Sequence, residues 1–264
     1  MHTEEDPEAC DAGVYKHTPR SKQGSDEGRR LNANWYPFDI FSILTYAFSM
    51  NNDPKPSIHY MDELLKKEKI TLTQRQLELL WKYHKLLREH NKDRDLTRLF
   101  KFETIVTKHY VDCIAVTNLI KFEGPMLDIG TGAGFPGIPI KIVRPDLKVV
   151  LAEHRPRRVN FLNLVISELK LEDIETYDHK IISSSPIGPF KSVITRALET
   201  IPETLNRVKN ITEQNGKVIF MKGPNCSNEI GDAKIASPIF ILDKDLHYSI
   251  STIDKRRLVV FTRS

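Results

Sequence analysis

The segment Pro125–Gly137, P-M-L-D-I-G-T-G-A-G-F-P-G, narrows what this chain can fold into more than any other stretch. Met126, Leu127 and Ile129 read as a short buried strand that carries a carboxylate, Asp128, close to its end. Gly130, Gly132 and Gly134 follow as a turn, and a helix is expected to begin near Pro136. Glycines suit a turn whose backbone takes left-handed angles and lets a ligand approach with no Cβ in the way. A helix start beside it presents free N–H groups. Strand, acid, Gly-x-Gly-x-Gly and helix, in that order, describe a nucleoside-cofactor site of a Rossmann-like fold.

Two cofactors compete for that site. Gly132–Gly137 also satisfies the dinucleotide pattern G-x-G-x-x-G, a weak signal when it stands alone. Asp128 lies two residues before the first glycine, as in the acid-x-Gly-x-Gly-x-Gly motif of class I S-adenosylmethionine (AdoMet) methyltransferases. AdoMet has no pyrophosphate to cradle; it carries a sulfonium and an ammonium, so an acid at the strand tip suits it better than it suits NAD. Phe135-Pro136 also puts bulk where a dinucleotide's phosphates pass.

The chain of 264 residues has room for one α/β domain with appendages. A net charge of +4 permits a nucleic-acid partner without demanding one. The cysteines Cys10, Cys113 and Cys226 are scattered, without a CxxC, which fits a reducing cytoplasm and argues against a disulfide framework or a zinc site. Residues 1–31 are polar and mixed in charge, and are read as disordered. The apolar stretch Trp35–Met50 is too short for the roughly 20 residues of a membrane helix, and Pro37 and Asp39 break its front. It reads either as an amphipathic anchor or as part of a translated upstream region, with Met50 or Met61 the true start. The division that follows is 1–60 as an extension, 61–122 as a helical cap and 123–264 as the cofactor-binding domain.

Helices are expected at Met61–Lys69, at Thr73 (as N-cap) to about Asn91, and at Phe102–Ile120, where His109 and Asp112 share a face. His84 sits on the apolar face of the second. Beyond the glycines, Gly137–Val143 is a short helix stopped by Pro145. Lys148–Ala152 is a strand ending at Glu153, about 20 residues on, the spacing at which an acid hydrogen-bonds the adenosine ribose. A helix to about Lys170 opens with Arg155, Arg157 and Arg158. Strands are expected at Ile174–Tyr177, Lys191–Thr195, Lys217–Met221, Ile239–His247 and Arg257–Thr262, and a helix at Pro202–Thr212. Arg196 and Lys222 then fall at carboxyl ends of parallel strands, over the crevice.

With those residues placed, the chain resembles the RsmG (GidB) family of bacterial small-subunit rRNA guanine-N7 methyltransferases. Leu127–Pro139 matches the family's L-D-I-G-T/S-G-A/P-G-F/L-P-G-I-P block, and Arg144-Pro145, Glu153, Arg157, Arg158, Phe161-Leu162, Glu168–Leu171 and Thr195–Ala197 match further on. Met221–Gly223 stands for L-K-G, Asn91 and Leu96-Thr97 for part of N-x-x-x-N-L-T, and His109 and Asp112 for H-x-x-D-S. Asp95 and Cys113 depart from the pattern, as does Lys180 with its serines in the loop after the third strand. The resemblance implies a mostly parallel seven-stranded α/β sheet with helices on both faces. It also implies AdoMet contacts at Gly130, Phe135, the backbone of Ile181 and Ile182, and Arg196. The residue reading adds Glu153, Gly132 and Gly134.

The substrate so implied is the 530-loop region of 16S rRNA in the small ribosomal subunit, acted on in the cytoplasm by a monomer, with no metal and no membrane. Asp128 and Asp112 are candidates to stabilise charge on N7, with Arg196 as a third catalytic candidate. Arg155, Arg157, Arg158, Arg196 and Lys222 are candidates for phosphate contacts. Two alternatives remain at this stage: an NAD(P)-dependent oxidoreductase, and a non-catalytic rRNA-binding assembly factor.

Overall fold

Strands that are apolar at nearly every position belong at the centre of a sheet covered on both faces. Met126–Ile129 (β1) and Val149–Ala152 (β2) are such strands, and every residue in them is buried. The computed structural model describes residues 54–251 and 253–264. The other strands are Ile174–Tyr177 (β3), Phe190–Arg196 (β4), Thr212–Lys222 (β5), Phe240–Ser249 (β6) and Lys255–Arg263 (β7). They form one seven-stranded sheet in the order β3-β2-β1-β4-β5-β7-β6. β7 runs antiparallel to both β5 and β6, and the remaining pairings are parallel. The strand order reverses between β1 and β4, where Ile129 pairs with Thr195, so a ligand crevice opens at their carboxyl ends.

The period of two along the strands sends side chains to two separate cores. Met126, Leu151, Ile194 and Ile219 pack under Ile58–Lys67 (α1), Gln74–Arg94 (α2), the helical run from Phe102 to Leu119 (α3), Gly137–Val143 (α4) and Pro156–Leu169 (α5). Leu127, Ile129, Val193 and Phe220 pack under Ile201–Val208 (α6) and Ser227–Ala236 (α7). α3 is α-helical over Phe102–Ile105, π-helical over Val106–Val111 and α-helical again over Asp112–Leu119. Such widened turns often sit at functional sites.

Several expected boundaries move. Ser57 caps α1 by accepting from the Tyr60 N–H, so this helix starts at Ile58, ahead of Met61. Thr73 caps α2 in a reciprocal box with Gln76, as expected, but the helix continues to Arg94. The expected helix over Pro202–Thr212 ends at Val208, because Thr212 already pairs with Phe190. Ser192 next pairs with Lys217, so the Asn215-Gly216 turn is looped out of β5 and does not end a helix. α7 had no sequence expectation; only Ile230 and Ala233 of it are buried, too few to show a period. The readings of residues 1–31 and Trp35–Met50 lie outside the described residues. No described helix is long and apolar enough to cross a membrane.

Candidate active site

The glycine turn is held from beneath by its own acid. Asp128 is fully buried; one carboxylate oxygen, Oδ2, accepts from Thr131 Oγ1 at 2.6 Å and from the Gly137 N–H at 2.7 Å. The other oxygen, Oδ1, has no hydrogen-bond partner. Most amides of the turn are also engaged within the protein, those of Gly132 and Ala133 excepted. Gly130 and Thr131 donate to Ala152 O, Gly134 and Phe135 to Thr131 O, and Ile138 to Gly134 O, while Pro136 has no N–H to give. A helix start whose amides are spent in this way has little to offer a pyrophosphate, which weighs against the dinucleotide reading. From α2, Tyr83 donates its hydroxyl to Ala133 O at 2.6 Å and fixes the outer limb of the turn.

Two cavities meet at Gly130, which lines both. One, of about 440 Å³, is walled by Gly132, Phe135, His109, Asp112 and Arg196. The second, of about 220 Å³, is walled by Glu153, Ile181, Leu198 and Arg207. Together they have the size of a site for a small organic ligand. Their chemistry fits AdoMet. A Cβ on Gly132 would meet nothing nearer than Arg158 Nη1 at 3.8 Å, so its absence leaves open room above the turn. Glu153, buried at the end of β2, lines the second cavity with a carboxylate whose Oε1 accepts from the Arg155 N–H at 2.9 Å. Ile181 and Leu198 give that cavity apolar walls suited to a purine face.

The larger cavity is organised by Arg196, at the end of β4. Its Nη1 donates to Lys108 O at 3.0 Å and to Asp112 Oδ2 at 3.4 Å, and its Nη2 donates to His109 Nδ1 at 3.1 Å. A guanidinium can only donate, so Nδ1 accepts and the imidazole proton sits on Nε2, from which it is donated to Thr97 Oγ1 at 2.8 Å. Burial and the Arg196 charge push the His109 pKa down to about 3, so the ring is neutral at physiological pH. Phe135 is packed against both: its ring stacks on His109 with centroids 4.3 Å apart, and the Arg196 guanidinium carbon lies 5.2 Å from its centroid. Asp112 accepts from the Tyr248 hydroxyl at 2.8 Å and lies 3.7 Å from Arg256 Nε. Asn91 secures the far end by accepting from Leu96 and Thr97 N–H and donating to Thr97 O. The π-helical turn of α3 lets Lys108, His109 and Asp112 all reach this cavity.

The structure brings most of the expected cofactor residues together. Gly130, Gly132, Phe135 and Arg196 line the larger cavity, and Gly130, Glu153 and Ile181 the smaller. Gly134 lies beneath the turn, where a Cβ would come 2.5 Å from Ile138 Cγ1. Ile182 is exposed and outside both cavity walls, and its N–H donates to Ser185 Oγ. Asp128 is turned into the protein, where it shapes the loop, while Asp112 faces the larger cavity. Arg155 and Arg157 are exposed at the start of α5. Arg158 is a brace: it donates to Asp95 O at 2.9 Å and lies 3.7 Å from Glu153 Oε2. Lys222 lines the larger cavity with its ammonium already donated to Glu199 O and Glu229 Oε2, each at 2.7 Å.

Sequence reasoning did not find Tyr248, Arg256 or Arg207. Arg207 grips Glu199 through two nitrogens, at 2.7 and 2.5 Å, and donates to Ile181 O at 2.7 Å, which bolts down the wall of the smaller cavity. Nothing in local spacing announces such partners.

Burial pushes the Asp128 pKa up to about 6, against the opposing pull of the Thr131 and Gly137 hydrogen bonds. A carboxyl raised above its unfolded value lends stability that is complete below the unfolded pKa, near 4, and is lost as pH rises through the folded one. Between pH 4 and pH 7, urea denaturation without cofactor should therefore show wild type losing up to about 3 kcal/mol relative to Asp128→Asn. A difference that stays flat across that window would contradict the buried, half-satisfied carboxylate.

Comparison with known proteins agrees with this geometry. Residues 76–259 match the family model described as rRNA small subunit methyltransferase G. A ribosomal RNA small subunit methyltransferase G 2 from Syntrophobacter fumaroxidans is 44% identical over 214 residues, covering 80% of this chain and 43% of that relative. This chain therefore spans less than half the length of that protein. A second, from Bdellovibrio bacteriovorus, is 38% identical over 71% of this chain and 74% of its own. A ribosomal RNA small subunit methyltransferase G from Clostridium botulinum is 34% identical over 66% of this chain and 80% of its own. Among solved structures, a SAM-dependent methyltransferase from Aquifex aeolicus aligns with a TM-score of 0.49 and 16% identity, over 67% of this chain and 98% of that one. The chain belongs to the rRNA small subunit methyltransferase G (RsmG, GidB) family of AdoMet-dependent rRNA methyltransferases, on the Rossmann-like class I fold.

Proposed function

We propose that this protein methylates N7 of a guanine in the 530-loop region of 16S rRNA, acting as a monomer on the small ribosomal subunit in the cytoplasm. The observation that carries the reading is the join of two cavities at Gly130, one suited to a nucleoside and the other walled by Phe135, His109, Arg196 and Asp112. In this reading Glu153 accepts from the ribose hydroxyls, Ile181 and Leu198 flank the adenine, and Gly132 leaves room above the turn. AdoMet, when bound, supplies an electrophilic sulfonium methyl.

Guanine N7 carries an unprotonated lone pair at neutral pH, so no residue of the chain has to take a proton. His109, neutral and engaged at both nitrogens, is held as part of the wall. The residues accelerate transfer by fixing the direction of approach. Asp112 is the carboxylate of the cavity wall that can support positive charge as it develops on the purine. Arg155 and Arg157, exposed beside the crevice, are the remaining candidates for phosphate contacts. Residues 1–53 are dispensable in this reading; a chain beginning at Pro54 keeps the Ser57 cap of α1.

The position is tested by chemical cleavage at 7-methylguanosine, using borohydride reduction and aniline scission of 16S rRNA from undermethylated subunits treated with protein and AdoMet. One new scission in the 530 loop is expected with both the full chain and the chain from Pro54. Scission at another guanine would reassign the target, and none at all would remove N7 as the acceptor.

A further inference from the structure

Beside the reaction cavity lies a separate hollow of about 500 Å³, formed where α2 ends and the next loop begins. Arg88, Lys92 and Arg98 stand around it, all exposed, and none makes an ion pair among the described residues. Its wall also carries Phe100, 70% exposed, with the Arg88 guanidinium carbon 6.0 Å from the ring centroid. The acid of the hollow, Asp95, has Arg158 at 3.8 Å on its other side. A phenylalanine left in water amid three cations is a poor arrangement for a free surface, and a good one for a base between phosphates.

The hollow is next door to the chemistry. Asp95 and Thr97 line it while Leu96, between them, lines the reaction cavity. The partition is held by Asn91, and Thr97 bonds directly to His109 on the reaction side. A strand that delivers a guanine to the reaction cavity would thus cross this hollow with the adjoining nucleotide.

We propose that the hollow seats an unpaired nucleotide flanking the target guanine, its base stacked on Phe100 and its phosphates on Arg88, Lys92 and Arg98. This rests on the rRNA reading above and gives it a specific contact surface. RNA is favoured over a protein partner by the combination of one flat aromatic face, unpaired cations and continuity with the reaction cavity.

The test pairs kinetics with a binding signal that needs no turnover. With undermethylated small subunits, Phe100→Ala and Phe100→Leu are expected to raise KM for the subunit roughly tenfold, with kcat at saturation and AdoMet affinity unchanged. Phe100→Tyr, which keeps the ring, should behave as wild type. Arg88→Gln with Arg98→Gln should flatten the salt dependence of RNA binding. Phe100→Trp places a reporter whose emission should be quenched, beyond any change in wild type, by a 530-loop RNA fragment. An unchanged KM in Phe100→Ala, or no RNA-dependent quenching in Phe100→Trp, would overturn the proposal. If wild type methylates nothing, the methyltransferase reading fails by itself, while the quenching still decides whether the hollow takes RNA.

Discussion

Gly132→Ala is expected to fold and to bind its cofactor more weakly, whereas Gly134→Ala is expected to be strongly destabilised. The two glycines are two residues apart, and both have positive φ, +62° and +105°. Gly132 lines the larger cavity, and a Cβ on it would meet no protein atom closer than 3.8 Å. Its cost to folding is the left-handed backbone alone, about 1–2 kcal/mol. Its cost to binding is the space above the turn, and AdoMet affinity measured by calorimetry should fall at least about tenfold, or roughly 1.4 kcal/mol. Gly134 has no such room. Its Cβ would lie 2.5 Å from Ile138 Cγ1 and 3.2 Å from both Leu162 Cδ2 and Tyr83 Oη. Backbone strain and overpacking together should cost about 3–5 kcal/mol, a large part of a typical domain's stability. If Gly132→Ala bound AdoMet as wild type does, the cavity above the turn would not be the cofactor's.

Arg196→Met is expected to reduce turnover about a hundredfold or more, roughly 3 kcal/mol of transition-state stabilisation, and to lower stability as well. Methionine fills similar space but drops the bonds to Lys108 O, Asp112 and His109 Nδ1. Asp112 is then left to Tyr248 and Arg256, and loss of one partner from a buried ion pair costs about 3–5 kcal/mol. Arg196→Lys separates the two effects. It restores a charge beside Asp112, and with it part of the stability, but a single ammonium cannot hold His109 and Asp112 in the same fork. Turnover in Arg196→Lys should therefore stay low while the midpoint of urea denaturation recovers. In both variants the His109 pKa should rise, because the guanidinium charge that helps depress it is gone or displaced. Histidine-resolved NMR titration would show it. Equal turnover in Arg196→Lys and wild type would mean that the fork geometry is not used.

The parts of this site that were legible in the sequence are those built from neighbours along the chain. β1, the glycine turn and α4 lie within Met126–Val143, punctuated by glycine and proline, and all fell where expected. Glu153 was found because one short helix and one short strand, α4 and β2, separate it from the turn. The role of Asp128 was not legible. Its position two residues before Gly130 suggested a ligand-facing acid, but its carboxylate closes on Thr131 and Gly137, within nine residues of itself. Arg158 and Lys222 looked free because their partners come from other elements, Asp95 lying 63 positions from Arg158. Tyr248 reaches Asp112 from 136 positions away, on an edge strand whose alternation says nothing of an acid on α3. The apolar face of α2 showed His84 in the sequence but did not single out Tyr83, the fully buried ring of that helix. Tyr83 can be buried because Ala133 O satisfies its hydroxyl, a partner that exists only once the turn has formed.

The most direct measurement is methyl transfer itself. Full-length protein would be incubated with tritiated-methyl AdoMet and undermethylated small ribosomal subunits, and the rRNA digested to nucleosides. Label in 7-methylguanosine from 16S rRNA, reduced with Gly132→Ala at limiting AdoMet, is the expected result. AdoMet binding without label in any 16S nucleoside, or no AdoMet binding at all, would contradict it.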